Sequence, residues 1–216
     1  CLSEKLNKND VIVSDTGASL TWSIQAFKIK KGQRFFSAYG NSPMGYALPG
    51  SAGAFLSNNK KKRVICITGD GGFQLNIQEL QTIVSNNIPV KIFVINNNGY
   101  GIIKQFQELY LKKRYEATIP RKGVTNPDFK KIAYAYGINY SEVRNNKDIK
   151  RILTKILKSK KLEFVNVIIN PNQKIVPKLQ FGNPIEDMSP LISREEFKKN
   201  MLIESIDSDK KILEAN

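Results

Sequence analysis

Short apolar stretches alternate with helix-like segments along most of this chain, and this alternation limits its possible folds more than any other feature. Stretches such as "RVICI" and "VKIFVI" are rich in β-branched residues, as buried strands are, and each leads into a glycine- or asparagine-rich turn. Strands that alternate with helices pair in parallel through right-handed crossovers. The pattern therefore predicts an α/β protein, with a doubly wound parallel sheet and helices on both faces.

The individual segments support this prediction. The strand-like stretches are residues 11–17, 34–40, 63–71, 90–99 and 162–170, and the helix-like stretches are residues 44–57, 73–87, 126–137 and 146–159. Asn126 is the predicted N-cap of its helix, because Pro127 follows in the first turn. After residue 170 the chain contains four scattered prolines, which predicts a domain over 1–170 and an irregular C-terminal tail over 171–216.

Composition excludes several classes of function. The chain contains no histidine, so neither Ser-His-Asp nor Cys-His catalysis nor His-ligated zinc can arise within it. Its two cysteines predict no disulfide framework and a cytoplasmic protein. The net charge of +15 fits either an anion-binding surface or a lysine-rich solvated exterior. The lysines are scattered and lack interleaved aromatic residues, which favours the second interpretation and no nucleic-acid or membrane partner.

Polar residues follow two successive buried strands. Asp70 lies among Gly69, Gly71 and Gly72, and a run of asparagines begins at Asn96. Carboxylate, amide and carbonyl oxygens form a hard ligand set that Mg²⁺ prefers, while glycines and a helix N-terminus favour a phosphate group. The two turns together indicate a clamp for a metal and a diphosphate. An ordinary strand-to-helix turn with Asp70 as a cap is the alternative.

Gly69-Asp70-Gly71, followed by Asn96-Asn97, resembles the motif of thiamine diphosphate enzymes, which runs from GDG to a terminal NN. The surrounding stretches are "TGDGGFQLNIQELQTIVSNNIPVKIFVINNNGYGIIKQFQ", "YGNSPMGYALPGSAGA" and "IVPKLQFGNPIEDM". They are similar to the cofactor-binding domain of acetolactate synthases and related decarboxylases. The resemblance covers roughly residues 11–188 and implies the thiamine diphosphate-binding fold.

The resemblance implies roles for particular residues. Metal ligands fall on the Asp70 carboxylate, the Asn97 amide oxygen and the Gly99 carbonyl. Gly71 and Gly72 match positions whose backbone lies along the diphosphate, and Gly69 is a further cofactor-binding candidate. Ser42 matches a position, usually glycine, whose carbonyl faces the aminopyrimidine. Met44 matches the apolar residue beneath the cofactor, with ordinary core packing as the alternative.

This chain departs from synthases at several positions. Ala18 and Ser19 replace a Gln-His pair, Phe106 replaces a tryptophan, and Ile102 replaces a methionine near the thiazolium. Ile102 and Phe106 are candidates for the substrate pocket. These changes argue against strict acetolactate synthase activity and predict a second-substrate pocket that serves another acceptor or none.

The implied function is decarboxylation of a 2-keto acid such as pyruvate, with transfer of the product to a carbonyl acceptor, in a thiamine diphosphate- and Mg²⁺-dependent homodimer or homotetramer. The activating glutamate of such enzymes belongs to an N-terminal pyrimidine-binding domain that no segment here matches. We therefore expect no catalytic residue in this chain and a partner domain in the same or another chain. Its start at Cys1 rather than Met also predicts that protein precedes it.

Three other functions stay open. The chain is also compatible with the β-type subunit of a two-subunit decarboxylase of the sulfopyruvate or phosphonopyruvate kind. A non-catalytic cofactor-binding homologue and a basic nucleic-acid-binding module are alternatives from other classes.

Overall fold

The computed structural model describes residues 1–58 and 62–205. The chain divides into two compact units, Cys1–Lys174 and Ile175–Asn216. Within the described residues, no helix is long and apolar enough to cross a membrane.

A six-stranded sheet forms the centre of the first unit, and every pair of neighbouring strands in it is parallel. The strands occur in the order β2-β1-β3-β4-β6-β5. They are β1 (Val11–Ser14), β2 (Arg34–Phe36), β3 (Val64–Gly69), β4 (Lys91–Asn96), β5 (Asn139–Val143) and β6 (Glu163–Ile168). The predicted α/β class and parallel sheet are confirmed.

The helices of this unit are α1 (Leu2–Lys5), α2 (Ala18–Ala26), α3 (Ala47–Ser57), α4 (Asp70–Leu75), α5 (Glu79–Ser85), α6 (Gly101–Tyr110), α7 (Phe129–Ala135) and α8 (Asn146–Lys158). The single helix predicted over 73–87 is instead two helices, because the chain leaves helical geometry at Asn76. There the Asn76 amide donates to the Gly45 carbonyl at 2.9 Å. Helix α7 begins at Phe129 and is capped by Asp128, so the prediction of Asn126 as N-cap is wrong.

Alternate residues of the strands face two separate cores. Val64 and Cys66 of β3 pack in one core, which also holds buried residues of α3, α5 and α7. Ile65 and Ile67 pack in the other core, against α8. Side chains two residues apart point to the same face of a strand, so this alternation shows that both faces are covered, as predicted.

The second unit has little regular structure among its described residues. It contains α9 (Arg194–Asn200) and an isolated antiparallel bridge between Lys178 and Ser189. Arg194 donates to both carboxylate oxygens of Asp187, at 2.7 and 3.0 Å.

Candidate functional site

A cleft of about 360 Å³ opens at the carboxyl ends of β1, β3 and β4. Its walls come from residues 16–22 after β1, residues 69–72 after β3, and Asn97 with residues 99–103 after β4, together with Ser42, Met44 and Ile95. The chain leaves β1 toward one edge of the sheet and leaves β3 toward the other. Such a topological switch point is where open α/β sheets bind ligands.

Asp70 is the carboxylate that lines this cleft, and it is 2% exposed. One of its oxygens, Oδ1, accepts from the backbone N–H of Gly71 at 3.0 Å. The other, Oδ2, accepts from the N–H of Gly99 at 3.0 Å and from Asn126 Nδ2 at 2.7 Å. Burial raises the pKa of Asp70 above its usual value, although these hydrogen bonds oppose the increase. A cation beside Oδ1 would favour the ionised form.

The Asn97 side chain meets Asp70 and Gly99 at one point. With its nitrogen turned toward them, the amide donates to the Gly99 carbonyl at 2.6 Å and to Asp70 Oδ1 at 3.2 Å. With its oxygen turned toward them, three oxygens face one another, and that arrangement requires a cation between them. The structure thus brings together the three residues that the sequence predicts as metal ligands, and their donor set fits a hard cation.

Two glycines in the first turn of α4 lack space for a side chain. A Cβ on Gly71 would lie 2.2 Å from Tyr100 Cε1, and a Cβ on Gly72 would lie 2.9 Å from Asp15 Oδ2. Gly69 is different, since the nearest atom to a Cβ there is Ser19 Oγ at 4.0 Å. Gly71 and Gly72 therefore allow the turn to pack closely against its own neighbours as well as leaving room for a ligand.

Helices α2, α4 and α6 all begin at the cleft. Their N-cap residues are Gly17, Gly69 and Tyr100, and none of these makes a side-chain capping hydrogen bond. The first N–H groups of a helix are unpaired within it and carry a partial positive charge, so they favour an anion. No lysine or arginine is among the described residues that line the cleft. Positive potential in the cleft would therefore come from backbone N–H groups, although in α4 the Gly71 N–H already donates to Asp70 Oδ1.

The buried carboxylate of Asp15 connects the segments that form the walls of the cleft through hydrogen bonds. Asp15, 1% exposed, accepts from the Gly45 N–H at 3.0 and 3.1 Å and from Thr68 Oγ1 at 2.9 Å. Gly45 follows Met44, whose methyl carbon lies 3.1 Å from the position of a Cβ on Gly71. Asp15 thus fixes the Met44 segment against β1 and β3. Burial raises the pKa of Asp15, and its hydrogen bonds lower it in part.

The remaining predicted residues are distributed unequally. Ser42 lies at the mouth in the left-handed conformation, with a φ of 46°, and its hydroxyl bonds that of Thr16. Ile102 lines the cleft, whereas Phe106, one turn further along α6, is not among the described lining residues. The centroid of the Phe106 ring lies 4.9 Å from the centroid of the Tyr110 ring.

Sequence reasoning gave no site role to Tyr100 or Asn126. Tyr100 lines the cleft, and its ring covers Gly71. Asn126 bonds Asp70, and its own oxygen accepts from Gln74 Nε2 at 2.7 Å. The loop that carries Asn126 has no pattern that would bring it to Asp70, so the sequence offers no signal for this contact.

Comparison with known proteins agrees with this geometry. The family described as thiamine pyrophosphate enzyme, C-terminal TPP binding domain, matches residues 15–167. The acetolactate synthase large subunit of Cyanidium caldarium is 34% identical over 175 residues, which are 81% of this chain and 29% of that protein. A probable acetolactate synthase large subunit of Methanococcus aeolicus is 35% identical over 170 residues, 79% of this chain and 28% of that protein.

A third relative is the acetolactate synthase isozyme 2 large subunit of Escherichia coli (strain K12), 29% identical over 192 residues, which are 89% of this chain and 34% of that protein. The chain thus spans about three-tenths of the length of these curated relatives. The matched segment begins at Asp15, directly after β1, continues into β6, and includes the cleft-lining segments that follow β1, β3 and β4. The chain therefore belongs to the thiamine pyrophosphate enzymes, as a C-terminal TPP-binding domain of the acetolactate synthase-like kind.

Proposed function

We propose that this domain holds thiamine diphosphate through Mg²⁺, bound by the Asp70 carboxylate, the Asn97 side-chain oxygen and the Gly99 carbonyl. The observation that carries the proposal is the meeting of these three oxygens at the point where three helices begin. Mg²⁺ prefers oxygen ligands and takes its remaining positions from water and phosphate oxygens. No group of three or more His, Cys, Asp or Glu side chains that could hold a metal occurs in the described part of the chain.

The diphosphate group needs compensation for its negative charge. Asp70 contributes one negative charge to the site, and Mg²⁺ more than offsets it. The N-termini of α2 and α6 supply further positive potential, each equivalent to at most about half a charge, and the six-residue α4 supplies less because its Gly71 N–H donates to Asp70. Since no basic side chain is required for this balance, the absence of lysine and arginine among the described lining residues is compatible with diphosphate binding.

The other walls of the cleft suit the organic part of the cofactor. Met44 and Ile102 line the cleft and offer apolar surface, and in this proposal the Ser42 carbonyl would accept from the aminopyrimidine amine. When bound, thiamine diphosphate supplies the electron sink that accepts the electrons of a departing carboxylate. The residues of this chain would bind and orient the cofactor, and a metal ion beside Asp70 would favour the ionised form of its carboxyl group.

We further infer that the complete enzyme decarboxylates a 2-keto acid, pyruvate first among them, and transfers the product to a carbonyl acceptor. The names of the acetolactate synthase relatives support this reaction. The only carboxylate among the described lining residues is Asp70, which in this proposal would bind the metal. The activating glutamate would therefore come from an N-terminal pyrimidine-binding domain of the same or another chain, and we propose that the complete enzyme is a homodimer or homotetramer.

Calorimetry on the full-length enzyme tests the metal clamp. Thiamine diphosphate should bind with Mg²⁺ and lose affinity when EDTA removes the metal. Asp70→Asn should weaken binding by more than about 100-fold, since loss of a partner outside the ligand set already costs about 10–100-fold. The matched control is Asp148→Asn, which removes an exposed ion pair with Arg151 on α8 and should leave binding unchanged. Equal cofactor affinity with and without EDTA would exclude the proposal.

A further inference from the structure

Polar side chains lie across the carboxyl ends of β4, β6 and β5, beside the loop that carries Asn97. In the sheet register, Asn166 of β6 pairs with Glu142 of β5, and Ile168, two residues after Asn166, pairs with Asn96 of β4. Since residues two apart share a face, Asn96, Asn166 and Glu142 lie on the same face of three neighbouring strands. They line one polar cleft together with Tyr140.

A continuous chain of hydrogen bonds joins these residues. Glu142 Oε2 accepts from the Tyr140 hydroxyl at 2.7 Å and from Asn166 Nδ2 at 3.3 Å. Asn166 Oδ1 accepts from Asn96 Nδ2 at 3.2 Å. Asn96 Oδ1 in turn accepts from the backbone N–H of Asn98 at 3.0 Å. This series of hydrogen bonds therefore connects a carboxylate on β5 to the backbone of the loop after β4.

The carboxylate determines which way both amides point. An ionised carboxylate only accepts hydrogen bonds, so Asn166 must present its nitrogen to Glu142 and its oxygen to Asn96. Asn96 must then present its nitrogen to Asn166, which leaves its oxygen for the Asn98 N–H. Burial alone would raise the pKa of Glu142, but hydrogen bonds from Tyr140 and Arg144 lower it below its usual value and keep the group ionised.

This series of hydrogen bonds ends at the turn that separates two of the proposed metal ligands, Asn97 and Gly99. Asn98 has a φ of 57°, a left-handed conformation that is unfavourable for most L-residues and that local hydrogen bonds stabilise in asparagine. The hydrogen bond from the Asn98 N–H to Asn96 Oδ1 is such a local hydrogen bond. Asn97 and Gly99 flank Asn98, so the direction of their oxygens depends on this turn.

We propose that Asn96 and Asn166 are positioning residues of the metal loop. Asn166, oriented by Glu142, holds the Asn96 amide, and Asn96 holds the Asn98 turn that sets the spacing of the Asn97 and Gly99 oxygens. This inference rests on the proposed metal site at Asp70, Asn97 and Gly99.

A double-mutant cycle on metal affinity tests the inference. Mn²⁺, the probe, is titrated into the full-length enzyme with saturating thiamine diphosphate, and bound metal is read by electron paramagnetic resonance. Asn166→Leu and Asn96→Ala should each raise the Mn²⁺ Kd by about 10-fold or more, the usual cost of losing a partner outside the ligand set. Because Asn166 acts through Asn96, the double variant should bind no more weakly than Asn96→Ala alone.

Val165→Ala is the matched control, since Val165 precedes Asn166 on β6 but is buried in the opposite core. It should lower the unfolding temperature without changing the Mn²⁺ Kd. Glu142→Gln is a second variant in case Asn166→Leu does not fold. A glutamine can present either amide atom to Asn166, so this variant should also raise the Mn²⁺ Kd.

Three results would count against these ideas, and they are distinguishable. If the folded variants keep the wild-type Mn²⁺ Kd, the positioning role is wrong and the metal site stands. If the effects of Asn166→Leu and Asn96→Ala multiply in the double variant, Asn166 does not act through Asn96. If wild-type enzyme binds Mn²⁺ no better with thiamine diphosphate than without it, the metal site itself is wrong, and the inference fails with it.

Discussion

Replacing Gly71 with alanine should destabilise the domain, because it places a methyl group in the ring of Tyr100. An ideal Cβ at this position lies 2.2 Å from Tyr100 Cε1, 2.7 Å from Cδ1 and 3.1 Å from Met44 Cε. Carbon atoms in favourable contact are about 3.5–4.0 Å apart. The Tyr100 ring would therefore have to move by more than about 1 Å.

The expected cost follows from two opposing effects. Overpacking of this kind costs about 1–3 kcal/mol. Alanine is favoured over glycine inside a helix by up to about 1 kcal/mol, and Gly71 lies in α4. The net loss should be about 1 kcal/mol, which lowers the unfolding temperature of a chain of this size by about 2–4 °C.

Thermal unfolding of three variants checks this reasoning. Gly53→Ala is the control, because Gly53 lies in α3 with no atom within 4 Å of a Cβ, and it should raise the midpoint. In a Tyr100→Ser background, which lacks the ring, Gly71→Ala should no longer be destabilising. If Gly71→Ala stabilises the wild-type chain as much as Gly53→Ala does, the packing of Tyr100 on Gly71 is refuted.

Three further predictions concern other parts of the molecule. Asp128→Ala removes the N-cap of α7 and should lower the free energy of unfolding in urea by about 1 kcal/mol. Asn126→Ala should leave α7 intact but weaken Mn²⁺ binding about 10-fold in the titration above, because Asn126 donates to Asp70. Burial lowers the pKa of Lys91 to about 8. Between pH 8 and about 10.5 only the unfolded state holds that proton, so the free energy of unfolding should rise with pH across this range. Lys91→Met should remove this contribution in urea titrations at several pH values. Ile102→Ala should change the selectivity between pyruvate and 2-ketobutyrate as acceptors by about 10-fold in competition assays, because Ile102 lines the cleft. Phe106→Trp should change this selectivity less, and a larger effect of Phe106→Trp would contradict the prediction.

The sequence predicts the part of the site that depends on strand ends. Asp70 and Asn97 follow buried apolar strands that one α/β connection joins, and such strands are neighbours in a parallel sheet. Their convergence needs no knowledge of loops. The apolar runs also predict the central strands, because burial on both faces requires continuous apolar sequence.

Contacts that depend on loops and edges are not predictable in this way. Strand β5, which reads "NYSEV", lies at the edge of the sheet and is only partly buried, so it lacks the apolar run that marks the central strands. Asn126 satisfies the sequence rule for a helix cap as well as Asp128 does, and only the path of the loop assigns it to Asp70. The helix break at Asn76 likewise depends on a distant carbonyl, that of Gly45.

The uncapped helix starts around the cleft also affect how the site tolerates change. A lysine or arginine side chain that binds a phosphate can be lost through one substitution, and salt weakens its attraction for the phosphate by screening its charge. The N–H groups of α2, α4 and α6 belong to the backbone, so no change of side chain other than to proline removes them. Sequence can therefore vary along these helices while the backbone N–H groups that we propose face the diphosphate stay in place.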